Sequence, residues 1–363
     1  MISKIVTLGD VCNKGSSNIA QKDLVDRDGI YPIYGAAGYI KNVDFAHQDK
    51  PYLAVVKDGA GIGRVMKLPA NSSIIGTMQY ILPKGNIDID YLYFALQYMN
   101  LSKYFSGSTI PHIYFRDYQK EKLPLPELSE QQGKAYVLLR IEQLIECYRQ
   151  QLTKLDELVK SQFVEMFGDP VSNAMAWQMR PLKETCTLMT GNTPSRAVKE
   201  YYGSHIEWIK SDNITNSSLY LTTAAESLSE KGAEVGRVVH PGAILMTCIA
   251  GSLNTIGNVA IVDRDVAFNQ QINAIIPHQY DTLFLCYLLK LLKPKLHEAA
   301  SSALKCILNK GNLEAFTAIV PDMALQKEFS SFVAQSDKSK LAVKQSLEKL
   351  ETLKKSLMQQ YFG

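Results

Sequence analysis

Apolar residues recur at steps of four and three along two stretches of this chain, each some 37 residues long without a proline. The rest alternates short apolar runs with glycine- and asparagine-rich breaks. In the first stretch the stripe is Ile141, Ile145, Tyr148, Leu152, Leu155 and Val159; in the second it is Val343, Leu347, Leu350, Leu357 and Tyr361, with Lys354 interrupting it. Such spacing lines up side chains in one seam of an α-helix, and a seam that long is covered by a partner helix. Pro126 and Pro321 stop the strands that precede the two stretches. At 1.5 Å per residue each predicted helix is ~55 Å long. A plain core-packing hairpin is the alternative, but polar outer faces of this length outrun what one small core covers.

The two stretches are copies of one another. From Leu123 onward the chain aligns without a gap to its last segment at an offset of 195, so that Pro126 meets Pro321, Gln131 meets Gln326, Leu152 meets Leu347 and Phe167-Gly168 meets Phe362-Gly363. Upstream the match is weaker but ordered: GIGRV at Gly61 faces TIGNV at Thr255, and YILP ending at Pro83 faces AIIP ending at Pro277. Self-similarity at a fixed period means a duplicated architecture. The expected division is a first domain over 1–125, a central long helix over 126–168, a second domain over 169–320 and a C-terminal long helix over 321–363. The central helix carries five basic and seven acidic side chains, the other seven and five. The predicted pair is therefore electrostatically complementary, an antiparallel coiled coil related by a pseudo-twofold repeat.

Between the helices the pattern predicts mixed α/β domains. Strand-like runs stand at Tyr52 (YLAVV), Met78 (MQYILP), Ala243 (AILMTCIA) and Ile272 (INAIIP), with one short helix in each domain around 90–103 and 281–300. Composition agrees with two folded domains: 46% hydrophobic and 21% charged residues exclude the disordered class. The longest apolar runs, from Ala243 and Leu283, are too short or too interrupted to span a membrane. The start of the chain shows no secretory pattern, which points to the cytoplasm. Cys12, Cys147, Cys186, Cys248, Cys286 and Cys306 form no metal-ligand spacing and read as reduced thiols. The sequons at Asn71, Asn213 and Asn216 read as chance matches. A net charge of +3 permits a nucleic-acid partner without demanding one.

Catalytic signatures are weak. DGAGIGRV at Asp58 mimics a dinucleotide loop, but VMKLP follows it where a helix would have to begin, so a turn entering a strand is the better reading. There is no G-x-x-x-x-G-K-[ST] run and no Asn-Pro-Pro-aromatic motif, and the six histidines are isolated from one another. No catalytic or metal residue is assigned.

Several ordered motifs resemble the specificity subunit of type I restriction–modification systems, over essentially the full length. They are YPIYGAAGYI at Tyr31, DGAGIGRV at Asp58, SGSTIPHIYFRDY at Ser106, LPLPELSEQQ at Leu123, FGDP at Phe167, TGNTPSR at Thr190, YYGSHIEWIKSDNIT at Tyr201 and FNQQINAIIP at Phe268. The resemblance implies two target-recognition domains that read the halves of a split DNA site, and two helices that bind two modification (methyltransferase) subunits. The chain itself would do no chemistry. S-adenosylmethionine, ATP and Mg would belong to partner modification and restriction (motor and nuclease) subunits, and none of them to this chain. The first domain opens GDVCNKGSSN and lacks the TPSR opening of the second, so the two should read different half-sites.

Reading DNA needs cations for phosphates and amide or guanidinium groups for base edges, presented on loops. The candidates are Lys14, Tyr34, Lys57, Arg64, Lys103, His112 and Arg116 in the first domain, and Arg196, Lys210, Asn213, Asn254 and Lys310 in the second. Each cation alone is more often a solvated surface charge, and Asn213 and Asn254 serve equally well as turn residues. Outward-facing Arg140, Arg149, Lys154, Lys344, Lys349 and Lys355 are candidates for partner docking. Two other readings stay open: a specificity component of some other multi-subunit DNA-modifying system, and a self-sufficient methyltransferase or nuclease.

Overall fold

The run YLAVV is buried at every position because both of its faces are covered. In the computed structural model, which describes residues 4–106, 111–215, 218–300 and 307–363, Tyr52–Val56 is a central strand of a four-stranded antiparallel sheet. Asn216 and Cys306 lie outside the described residues. The strand order is Cys12–Ser16, Met78–Pro83, Tyr52–Val56, Val65–Leu68. Successive side chains of a strand point to opposite faces. Leu53 and Val55 thus join a core with Tyr91, Leu92 and Phe94 of the helix Ile89–Met99, while Tyr52, Ala54 and Val56 pack with Ile74, Met78 and Tyr80 on the other side. That helix starts where the Asp88 carboxylate accepts the Asp90 and Tyr91 N–H groups, and it stops at Asn100 in the left-handed conformation. A three-stranded sheet, Gly38–Val43, Tyr31–Gly35 and Ser73–Ile74, includes a parallel pairing of Ile33 with Ser73. Lys4–Thr7 pairs with Lys122–Leu125 just before the long helix begins.

The contacts divide the chain into two units, Met1–Gln151 with Val343–Gly363, and Leu152–Ala342. The second unit repeats the plan of the first. Its four-stranded antiparallel sheet runs Cys186–Thr190, Ile272–Pro277, Ile244–Thr247, Val259–Ile261. Met179–Pro181 pairs with Thr317–Ile319, as Lys4–Thr7 does with Lys122–Leu125. Trp208 meets Ala267 in parallel, as Ile33 meets Ser73. Asp281 caps the helix Thr282–Leu291 as Asp88 caps its counterpart.

The two predicted long helices are Leu128–Phe167 and Met323–Phe362, 40 residues each and unbroken. Within the first unit Glu142 meets Lys354 at 2.6 Å and Arg149 meets Glu351 at 2.8 Å. Within the second, Asp156 meets Lys340 at 2.7 Å and the rings of Phe163 and Phe329 are 5.3 Å apart. In each unit numbers rise on one helix as they fall on the other, so the pairing is antiparallel. Of the seam, Ile141, Ile145, Val159 and Val343 are buried, and Tyr148, Leu152, Leu155, Leu347, Leu350 and Leu357 are half-buried.

A glutamine ties each long helix to its domain. The Gln131 carbonyl oxygen accepts Asp88 N–H at 2.9 Å while its amide donates to Pro126 O at 2.9 Å and Asn86 O at 3.2 Å. Gln326 repeats all three bonds, with Asp281 N–H at 2.9 Å, Pro321 O at 2.8 Å and Gln279 O at 3.3 Å. Among the described residues no helix is long and apolar enough to cross a membrane.

Candidate nucleic-acid interface

In the first domain one glycine-rich turn presents two of the candidate cations, Lys57 and Arg64. Val56 N–H donates to Arg64 O at 3.0 Å, and Gly63 N–H donates to Val56 O at 2.8 Å. Between them Gly59, Gly61 and Gly63 all have φ near +80°, the region glycine occupies without strain. The turn delivers the chain into the strand Val65–Leu68, with no helix N-terminus behind it. Ile113 N–H donates to Lys57 O at 3.0 Å, Gly59 N–H donates to Pro111 O at 3.1 Å, and the Asp58 carboxylate bonds the His112 ring. Lys57, Arg64 and His112 are thereby assembled from two loops. Arg116 lies over the Tyr114 ring at 4.6 Å, which itself stands 4.2 Å from the His112 ring.

Arg64 is exposed and makes no ion pair among the described residues. Lys103 is held differently, by the Glu121 carboxylate. Lys14 and Tyr34 belong to other elements. The first is exposed on the strand Cys12–Ser16, and the second is half-buried with its ring edge-on to Tyr39.

The second domain builds the same turn and uses it otherwise. Thr247 N–H donates to Asn258 O and Gly257 N–H to Thr247 O, both at 2.9 Å, and Leu308 N–H donates to Cys248 O at 2.8 Å. The enclosed loop is longer, spanning 248–257 against 57–63. In place of the exposed Arg64 stands Asn258, which is buried and held by the Lys293 ammonium at 2.5 Å. Asn254 is exposed in the longer loop, while its backbone carbonyl accepts from Lys293 at 2.7 Å. Lys310 begins the short helix Lys310–Ala315 and faces Glu314 at 3.4 Å.

Arg196 and Lys210 come together on Glu226. Arg196 Nη2 donates to one carboxylate oxygen at 2.6 Å and Lys210 Nζ to the other. Those two hydrogen bonds, that of Lys210 foremost, hold the Glu226 carboxyl below its ordinary pKa. The guanidinium also lies 4.4 Å from the Tyr202 ring and 5.2 Å from the Trp208 ring.

Asn213 is the one candidate with no surface to offer. It is buried, its side-chain oxygen accepts Lys210 N–H at 3.0 Å, and its amide donates to Thr223 O at 3.0 Å. With both ends engaged inside the turn, no edge remains for a base, and of the two readings of Asn213 the turn residue is the one the geometry supports. The outward cations Arg140, Arg149, Lys154, Lys344, Lys349 and Lys355 are all exposed on the long helices.

The four buried thiols are not arranged as nucleophiles. Burial pushes the thiol of Cys12 up to about 12 and those of Cys186, Cys248 and Cys286 up to about 11. Thiols held that high stay protonated and unreactive near neutrality. Among the described residues no cluster of three or more His, Cys, Asp or Glu could hold a metal ion.

The family described as "Type I restriction modification DNA specificity domain" matches this chain twice, over residues 3–157 and 175–353. The chain belongs to that family. A specificity-domain relative, the type I restriction enzyme HindI specificity subunit of Haemophilus influenzae, is 32% identical over 114 residues, covering 31% of this chain and 24% of the relative. The MjaVIII specificity subunit of Methanocaldococcus jannaschii is 24% identical over 255 residues, covering 64% and 59%. The chain thus aligns with less than two thirds of the length of these relatives. The fold is similar to the crystal structure of a type I restriction-modification S subunit from M. genitalium, with a TM-score of 0.66 at 15% identity, covering 99% of this chain and 96% of that one. A second structure, from work on complex assembly and conformational transition of the type I R-M system, gives 0.54 at 15% identity.

Within this specificity-domain fold the sequence pattern missed Glu226 and the ring faces of Tyr202 and Trp208. The aromatic-basic interleaving of Tyr202, Trp208 and Lys210 was the available signal. Glu226 carried none, because its partners lie 16 and 30 residues away.

Proposed function

We propose that this chain is the DNA-reading subunit of a type I restriction–modification complex, each of its two domains reading one half of a split site. The observation that carries the reading is the doubled unit. The same sheet, turn and glutamine tie are built twice, but the turn exposes Arg64 in one copy and buries Asn258 in the other. A duplicated scaffold with unlike loops suits a site whose halves differ in sequence. We take residues 1–125 and 169–320 as the two recognition domains. Lys57, Arg64, His112 and Arg116 are the contact set of the first, and Arg196, Lys210, Asn254 and Lys310 that of the second.

The chain performs no catalytic step in this scheme. Methyl transfer to adenine falls to two modification subunits docked on the exposed cations of the long helices, and cleavage to restriction subunits. S-adenosylmethionine, ATP and Mg are used by those partners, in the cytoplasm where the DNA lies. The helices, each running unbroken through both units, set the unread spacer. Methylome sequencing of a host with and without this gene tests the reading. A bipartite motif that vanishes with the gene supports it, and an unchanged methylome refutes it.

A further inference from the structure

Arg196 is a cation of the second domain that is held in place and still exposed. Its loop is pinned from several sides: the Tyr202 hydroxyl donates to Pro194 O at 2.6 Å, Asn192 donates to Val235 O and accepts Arg237 N–H, both at 2.8 Å, and Thr193 bonds Gln270. The same Tyr202 ring and that of Trp208 offer their faces to the guanidinium. Glu226 takes one terminal nitrogen, which leaves donors on the guanidinium unspent, and the side chain remains more than half exposed, at 56%. A planar fork fixed on one side and open on the other is the form that reads two acceptors at once.

A structural ion pair would be the plain explanation, but the duplication argues against it. The first domain builds the equivalent parallel strand pair with Ile33 opposite Ser73 where the second has Trp208 opposite Ala267. Two residues on, Gly35 stands where the second domain has Lys210. That strand pair is therefore closed once without Trp208 and Lys210, whereas the strands Tyr202–Gly203 and Ser227–Leu228 beside it are additions of the second domain.

We infer that Arg196 reads the O6 and N7 acceptors of one guanine in the half-site of the second domain, with Glu226 and the Tyr202 and Trp208 rings as positioning residues. This rests on the DNA-reading function proposed above. Arginine bidentate to guanine is the pairing its geometry favours in the major groove. Lys210, held on the other carboxylate oxygen, keeps the cluster net positive beside the phosphates.

The test is methylome sequencing of a host carrying the complete system with this chain intact, as Arg196→Lys or as Glu226→Gln. Parallel binding measurements use duplexes of the motif so found. Intact chain should give a split motif with a fixed guanine in one half. Lysine keeps the charge and loses the fork, so that single position should become degenerate and discrimination there should fall about 10- to 100-fold, with the other half unchanged. Glu226→Gln should relax the same position to a smaller degree. An unaltered motif, a change in both halves, or loss of all methylation overturns the inference. So does a variant that fails to fold by circular dichroism, because the cluster would then be structural. If the intact chain yields no split motif, the DNA-reading function itself fails, and that outcome is separate.

Discussion

The Lys354 ammonium lies 2.6 Å from the Glu142 carboxylate across the two long helices, and 5.8 Å from the face of the Phe94 ring. By sequence Lys354 breaks an apolar seam; in the fold it pairs with Glu142 of the facing helix. Both side chains are about three quarters buried, at 24% and 29% exposure, so removing one leaves the other charge poorly solvated. Lys354→Ala should lower stability by about 1–2 kcal/mol, read from urea midpoints. Lys354→Met with Glu142→Met should recover most of that loss. A double variant no more stable than the single one would show that the pair is not coupled.

Gln131 and Gln326 sit 195 residues apart and make matching sets of three hydrogen bonds. Each oxygen serves the backbone N–H of the aspartate that caps the domain helix, so helix start and long helix are fixed together. Replacing either with alanine strands a backbone donor and acceptors in buried surroundings, at about 2–3 kcal/mol. Hydrogen exchange should show the Gln131→Ala loss at Asp88–Tyr91 and the Gln326→Ala loss at Asp281–Phe284. Unaltered protection at those amides would mean the glutamines are incidental.

The long helices and the duplication were legible because both are local: one is a period, the other a fixed offset. Pairings over long separations were not. Nothing near Trp208 names Ala267 as its neighbour, and Lys354 reads as a defect until Glu142, 212 residues away, is placed beside it. Asn213 was ambiguous for a different reason. A short amide after a strand serves a turn or a base equally well, and only its burial decides. The loop difference between 57–63 and 248–257 blurred the upstream repeat, although the four-stranded sheets that carry it match strand for strand.

Glu121 couples the first domain to pH at both ends of the scale. Burial pushes its carboxyl up, but the hydrogen bonds from Lys103 and Tyr104 more than reverse this and hold it below its ordinary 4.5. The bond to Glu121, with burial, raises the Tyr104 phenol from 10.0 to about 12. A depressed carboxyl contributes stability above its unfolded value that is lost as pH falls through the folded one. A raised phenol contributes stability below its unfolded value that is lost as pH rises from 10.0 toward 12. Glu121→Gln should therefore flatten the urea midpoint both below pH 4.5 and above pH 10. A variant profile that parallels the wild type at both ends would count against this coupling.

Arg64 and Asn213 should separate binding from folding. Arg64 is exposed and free of ion pairs among the described residues, so Arg64→Ala should change stability by no more than about 0.5 kcal/mol. As a phosphate contact its loss weakens binding to all duplexes alike and lowers the salt slope by about one; as a base contact it relaxes one position of the first half-site. Asn213→Ala empties a buried turn of its hydrogen bonds and should cost about 1–3 kcal/mol of folding stability. Once the protein is folded, which base is preferred should stay the same. Thermal melting beside filter binding on matched and single-substituted duplexes distinguishes the two. A stable Asn213→Ala protein with altered base preference would return that residue to the DNA surface, and an Arg64→Ala protein with wild-type affinity at every salt concentration would remove Arg64 from it.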